Sequence, residues 1–198
     1  MYLPALISYK QTLAGVTLRR AEADDMVGIT FKGPAFAGGE DVEITGTAKE
    51  IFEQLIEMNP NYEADTANTT LPEQVHRLPL KKRDDINCNP AGNEVGNWIT
   101  QCSEGLGYLE RLKGYCNAPK GWGGCARVSC SWNCGISLCN DNSFSIDVPC
   151  NWIAADAWDI IGECANDWGD LVSSVKGQKF RYTGLNAAYN VIVKSHSC

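Results

Sequence analysis

The sequence predicts an α+β domain of β-α-β-β-α-β order, held by disulfide bonds and preceded by a smaller ββα unit. Three observations lead to this fold class. All ten cysteines lie between positions 88 and 198 of the 198-residue chain. All six tryptophans also lie in that part. Apolar residues recur at helical spacing in some segments and alternate with polar residues in others. An even number of cysteines at this density is typical of a disulfide framework made in an oxidising compartment.

The cysteine-free front part contains two short alternating segments followed by a helix. The apolar residues of the two predicted strands are Val27, Ile29, Phe31, Val42 and Ile44. Thr47 and Glu50 form a capping box, in which each side chain satisfies a free backbone donor of the other residue. The helix that follows presents an apolar stripe made of Ala48, Ile51, Phe52, Leu55 and Ile56, and it ends by Asn59. Because such a unit is too small to be stable alone, we expect it to dock on the rest of the chain.

A basic triplet, Lys81, Lys82 and Arg83, stands at the boundary between the two parts. The polar stretch from Asn61 to Pro79 resembles an exposed linker, and proteolysis concentrates in such segments. We therefore predict cleavage by a kexin-type processing protease, which leaves residues 1–20 as an atypical leader, 21–83 as a propeptide and 84–198 as the mature domain. The alternatives are ordinary solvated charge in a loop and a front unit that is an integral part of one fold. The same stretch holds an N-glycosylation motif at Asn68.

The back part alternates strands and helices. Its expected strands cover residues 86–88, 128–132, 136–139 and 189–194, and its expected helices cover 95–112 and 151–164. In the second strand Val128, Cys130 and Trp132 are expected to share one face. This order is that of a split βαβ, ferredoxin-like sandwich, with both helices on one face of an antiparallel sheet.

The cysteines are expected to form disulfides, with a connectivity that the spacing leaves open. They are Cys88, Cys102, Cys116, Cys125, Cys130, Cys134, Cys139, Cys150, Cys164 and Cys198. A metal site at the group from Cys125 to Cys139 is the alternative. Zinc sites usually contain Cys-x-x-Cys pairs, and none occurs in the sequence, so we expect neither a metal nor a cofactor.

Catalysis is not expected from this sequence. His196 is the one histidine of the predicted mature part, and a terminal histidine of this kind is most often solvated. A small secreted glycoside hydrolase would need paired carboxylates. Asp156, Asp159 and Glu163 have helical spacing, but a solvated outer helix face explains them, since nothing in the sequence indicates burial of one carboxylate.

Charge and composition favour a protein partner. The formal net charge is −7 and the isoelectric point is about 4.8, which argues against nucleic acid as the main partner. No apolar run is long enough for a membrane span. Trp122, in a glycine-rich loop, is a candidate contact residue, with packing against a disulfide as the alternative. Arg127 is a second candidate, with ordinary surface charge as the alternative.

An ordered set of motifs gives the back part a family resemblance. The set comprises Ile86-Asn87-Cys88, the strand that carries Cys130, the helix that closes at Cys164, and the last strand from Tyr189 to Cys198. Residues 84–198 resemble the virally encoded, calcium-channel-blocking killer toxins of smut fungi and related effectors of plant-pathogenic ascomycetes. The resemblance implies a βαββαβ sandwich and importance for a basic residue near Arg127.

We therefore expect a secreted, extracellular, monomeric effector of a plant-pathogenic fungus that acts by binding a host protein such as an immune receptor. The alternatives are an antifungal killer toxin directed at a competitor's ion channel or membrane protein, and the small hydrolase.

Overall fold

A computed structural model describes residues 28–69, 85–118, 124–167, 173–183 and 187–198. In these residues the chain has a mixed α+β fold with two larger antiparallel sheets, a small two-stranded antiparallel sheet and five disulfide bonds. The helices are α1 (Ala48–Met58), α2 (Tyr62–Thr66), α3 (Trp98–Gln101), α4 (Ser103–Arg111) and α5 (Cys150–Cys164). The strands are β1 (Ile29–Pro34), β2 (Asp41–Gly46), β3 (Asp85–Asn87), β4 (Tyr115–Ala118), β5 (Gly124–Ser131), β6 (Cys134–Asn140), β7 (Ile146–Pro149), β8 (Asn166–Asp167), β9 (Ser173–Ser174), β10 (Gly177–Thr183) and β11 (Ala187–Ser195).

A four-stranded sheet of order β2-β1-β4-β7 joins the front unit to the back part. Its second strand, β1, pairs with β2 on one side and with β4 on the other, so that Phe31 lies opposite both Ile44 and Cys116. The expected docking of the ββα unit therefore takes the form of a shared sheet.

The first helix of the front unit confirms the predicted capping box. The Thr47 hydroxyl accepts from the Glu50 backbone N–H at 3.4 Å, and the Glu50 carboxylate accepts from the Thr47 backbone N–H at 2.7 Å. Ala48, Ile51, Phe52 and Leu55 are buried as predicted, whereas Ile56 is only partly buried.

The expected linker from Asn61 to Pro79 is wrong at its beginning. Residues 62–66 form the short helix α2, in which Tyr62 and Thr66 are fully buried. Tyr62 packs edge-on against Phe52, with ring centroids 6.1 Å apart, so an aromatic contact extends the front unit beyond Asn59.

The second sheet has the order β3-β10-β11-β6-β5, with α4 and α5 packed on it. In a split βαβ fold, one strand lies between two strands that are joined through a helix. Here β6 and β11 are direct neighbours, and the connection between them contains α5 together with β7, β8, β9 and β10. The predicted ferredoxin-like strand order therefore differs from the one found. Strand β10, which was not predicted, pairs with both β11 and β3, so β3 lies at the edge of the sheet and not between β6 and β11.

The predicted helix over residues 95–112 is shorter and divided. Val95 forms an isolated antiparallel bridge with Val175 instead of a helical turn. The helix begins after Asn97, whose side chain caps the Thr100 N–H, and it divides at Cys102 into α3 and α4. Strands β4 and β7 were also not predicted, and both lie in the four-stranded sheet.

The five disulfides are Cys88–Cys164, Cys102–Cys134, Cys116–Cys150, Cys125–Cys139 and Cys130–Cys198, so every cysteine is paired. Most of them connect different elements, whereas Cys125–Cys139 joins directly opposite residues of the β5–β6 hairpin. Among the described residues, no helix has the length and apolar character needed to cross a membrane.

Candidate binding site

The tip of the β5–β6 hairpin has an unusual backbone. Ser131 pairs with Cys134, so Trp132 and Asn133 alone form the turn. Both have left-handed φ angles, 50° for Trp132 and 69° for Asn133. Two positive φ angles suit the twist of a two-residue hairpin, and asparagine accepts this conformation well. A bulky residue such as tryptophan rarely adopts it, so the turn holds Trp132 at some conformational cost.

The side chain of Trp132 projects from this turn into solvent. With 70% of its surface exposed, Trp132 is the most exposed large apolar side chain among the described residues. Its indole N–H donates to the Glu104 carboxylate at 3.0 Å, and the Lys49 ammonium group lies 3.6 Å from the same carboxylate. The polar edge of the ring is thus oriented while its apolar surface stays uncovered.

This position corrects the prediction that Trp132 shares a strand face with Val128 and Cys130. The β5–β6 register shifts between Arg127 and Ser129, which is the sign of a β-bulge at Val128. The strand then ends at Ser131, and the turn carries Trp132 out of the sheet.

Two disulfides and a backbone hydrogen bond fix the hairpin tip. Cys102–Cys134 ties it to the residue that precedes α4, and Cys130–Cys198 ties it to the last residue of the chain. In addition, the Asn133 carbonyl accepts from the His196 N–H at 3.0 Å. Trp132 therefore lies on a turn that two disulfides hold in place.

Arg127, the second candidate contact residue, lies near the same C-terminal segment. Its guanidinium Nη1 is 3.2 Å from His196 Nδ1, while its buried Nε has no hydrogen-bond partner. The same Nδ1 lies 3.2 Å from the Ser197 carbonyl, so it accepts from Arg127 in one tautomer of His196 and donates to Ser197 in the other. The expectation that His196 is solvated is wrong: it is 9% exposed, and its side chain lies over Gly135, where a Cβ atom would clash with it.

A buried ionic cluster connects α5 to the five-stranded sheet. Asp156 is completely buried, contrary to the solvated helix face that was expected. Its carboxylate contacts Lys179 Nζ at 3.1 Å, Arg181 Nη2 at 2.5 Å and the Tyr189 hydroxyl at 3.2 Å. Asp159 also accepts a hydrogen bond from Lys179.

The paired charges explain how this cluster is tolerated. Burial alone would lower the pKa of Lys179, but its hydrogen bond to Asp159 and its attraction to Asp156 outweigh burial and raise that pKa. The Asp156 carboxylate is fully engaged by donors and shielded from solvent, so it anchors the helix. It lacks the accessibility that a general acid or a nucleophile needs. In the described part of the chain, no group of three or more His, Cys, Asp or Glu side chains is arranged to hold a metal ion.

The remaining predicted site residues fall in different places. Trp122 and the triplet Lys81, Lys82 and Arg83 lie outside the described residues. Asn68 is exposed just after α2, as a glycosylation acceptor must be.

Trp132 was not predicted as a contact residue because a tryptophan in a left-handed turn is rare. Asp156 is predictable as a buried residue, since spacings of three from Ile153 and four to Ile160 place it on the apolar helix face.

Comparison of the chain with protein-family models, with curated proteins and with solved structures gave no match. The functional interpretation therefore depends on the chemistry of the residues described above.

Proposed function

We propose that the protein is a secreted, disulfide-stabilised effector of a plant-pathogenic fungus that acts by binding a host protein through a surface centred on Trp132. The observation that carries this proposal is the exposed indole ring, held on a braced turn in a conformation that tryptophan rarely adopts. Strained and exposed residues of this kind cluster at functional sites.

The energetics of association favour such a residue as an anchor. Tryptophan is enriched among the residues that dominate binding energy at protein interfaces, where its removal commonly costs about 2 kcal/mol or more. A ring already fixed by the turn, by Glu104 and by two disulfides loses little conformational freedom on binding. The surface around Trp132 is therefore preorganised for binding.

Two features support a role in binding and not in catalysis. Every cysteine is bridged and so cannot act as a thiolate nucleophile. The carboxylate of Asp156, the most deeply buried acid of the predicted candidates, is saturated by cationic and hydroxyl donors.

The same proposal includes the extracellular location and the processing after Arg83. Five disulfides favour an oxidising compartment. The killer-toxin kinship of residues 84–198 is part of the proposal. It is supported by the disulfide density and by two helices packed on an antiparallel sheet, although the strand order differs from a split βαβ arrangement.

Leaf infiltration tests the proposed function. Purified oxidised protein, Trp132→Ala and the control Trp152→Ala would be infiltrated at equal concentration. Trp152, on α5, is also exposed, at 36%. We expect a plant response to the wild type and to the control, and its loss with Trp132→Ala while the melting temperature is unchanged.

A plant response that Trp132→Ala leaves intact would contradict the proposed surface. Growth inhibition of other fungi without any plant response would favour the killer-toxin alternative. Polysaccharide turnover that Asp156→Asn abolishes would favour the hydrolase.

A further inference from the structure

We infer that the front unit, residues 28–69, stays bound to the back part after the chain is cut between them and forms a non-covalent subunit of the working protein. This inference rests on the proposed processing after Arg83. The contacts that carry it are independent of where, or whether, the natural chain is cut.

Backbone pairing is the first contact. Strand β1 lies between β2 and β4, with Thr30, Phe31 and Lys32 opposite Asn117, Cys116 and Tyr115. Loss of the front unit would turn β4 into an edge strand with unpaired backbone groups along one side. It would also uncover Cys116, which is fully buried.

Close packing around Phe31 is the second contact. Phe31 is fully buried, and its ring lies against the backbone of Gly114 in the back part. A Cβ atom at Gly33 would lie 2.8 Å from Gly114 Cα, so these two segments approach as closely as only glycine allows. The apolar fit is therefore specific to this pair of segments.

A third contact joins α1 and α2 to α4. The rings of Phe52 and Tyr108 are 5.5 Å apart, and the Arg111 guanidinium lies 4.2 Å from the centre of the Phe52 ring. Arg111 also pairs with Glu63 at 3.1 Å. The buried Tyr62 hydroxyl accepts from the Lys113 backbone N–H at 2.9 Å. These contacts combine an aromatic, a cationic and a hydrogen-bonded component.

No disulfide can hold the front unit, because it has no cysteine. Retention would thus depend wholly on the three contacts above. The candidate binding site borders the front unit, since Lys49 of α1 pairs with Glu104, the acceptor for the Trp132 indole. Both side chains of this ion pair are partly exposed and such pairs contribute little, so the Trp132 turn itself does not depend on retention of the front unit.

A controlled cut tests the inference on the full chain. Residues 81–83 are replaced by the recognition sequence of a site-specific protease, and the folded, oxidised protein is cut and examined by native mass spectrometry and gel filtration at about 1 μM. We expect one species with both fragments in a 1:1 ratio. Two separate species under these conditions would overturn the inference.

Variants locate the contact. Phe31→Ala should weaken the association of the cut fragments at least about a hundredfold. Phe36→Ala is the control, because Phe36 is 52% exposed in the same unit, and it should change the association less than about twofold. If Phe31→Ala fails to fold, Tyr62→Phe, which removes the hydroxyl that accepts from the Lys113 N–H, should weaken association about tenfold. Equal association of wild type, the weakened variant and the control would contradict the proposed interface.

The outcome is separable from the proposed function. Mass spectrometry of the naturally secreted product reports on processing, and leaf infiltration reports on the role of Trp132. Either can fail while the cut protein stays together, and the cut fragments can separate while both succeed.

Discussion

Replacement of Asp156 by asparagine tests the buried ionic cluster. The substitution keeps the size of the side chain but removes the negative charge that faces Lys179 and Arg181. The Lys179 side chain is 3% exposed and the Arg181 side chain is 23% exposed, so neither cation can recover full hydration without moving. Lys179 would keep Asp159, whereas Arg181 would lose the carboxylate that it contacts through both Nε and Nη2.

The magnitude follows from the cost of breaking one side of a buried ion pair, about 3–5 kcal/mol. For a chain of this size, 1 kcal/mol corresponds to about 2–4 °C in melting temperature. We therefore expect Asp156→Asn to lower the melting temperature by about 6–20 °C. Circular dichroism of the oxidised protein at pH 7 measures this shift, and a thiol assay verifies that the disulfides have formed.

Asp159→Asn is the matched control. The Asp159 side chain is 54% exposed, and its loss leaves Asp156 to hold Lys179. Because Asp159 is itself half exposed and Lys179 keeps the buried Asp156 carboxylate, the control should lose only about 1 kcal/mol and melt within about 4 °C of the wild type. The interpretation of the cluster as an anchor fails if Asp156→Asn melts as the control does.

Three further predictions concern pH, disulfides and glycosylation. The raised pKa values of Lys179 and Tyr62, which for Tyr62 result chiefly from burial, mean that the folded state binds more protons than the unfolded state in alkali. Stability should thus be full below about pH 10 and fall above it. Lys179→Met should make the melting temperature less sensitive to pH above about 10; equal pH dependence in both proteins would contradict this. Replacing both Cys125 and Cys139 by alanine should lower the free energy of unfolding by about 1.5 kcal/mol less than replacing Cys88 and Cys164, because the first disulfide closes a loop of 14 residues and the second a loop of 76. Chemical denaturation measures both losses, and the opposite order would refute the prediction. Secretion from a eukaryotic cell should add an N-linked glycan at Asn68, seen as a mass shift that peptide N-glycosidase removes; an unmodified Asn68 in the secreted protein would contradict the glycosylation prediction.

Local signals in the sequence predicted local structure well. The capping box of Thr47 and Glu50 and the apolar stripe of α1 involve residues at most a few turns apart, so the pattern contains the information needed. The same holds for α5, whose predicted range of 151–164 differs from the structure by one residue.

Long-range pairing was predicted poorly because its partners are distant in the chain. Strand β4 has four residues and lies in the sheet between β1 and β7. Its pairing with β1 joins residues far apart in the chain, since Phe31 lies opposite Cys116, 85 residues later. Similarly, the burial of Asp156 requires the cations of β10. No local pattern around position 156 reveals that Lys179 and Arg181 will neutralise it.

The candidate binding site shows the same limit. The glycine-rich loop predicted an exposed contact residue at Trp122, whereas Trp132 was placed in a strand. Exposure of Trp132 depends on a bulge at Val128 and on a turn closed by Ser131 and Cys134, and both are properties of the strand register.

Helix α5 carries a disulfide at each end: its first residue, Cys150, is bonded to β4 of one sheet, and its last, Cys164, is bonded to Cys88 beside β3 of the other. The helix therefore holds its two disulfides a fixed distance apart, because its 15 residues span about 22 Å. One inserted residue would turn one end by about 100° relative to the other and would misalign a disulfide or the Asp156 anchor. Insertions and deletions should therefore be tolerated in surface loops and excluded from this helix.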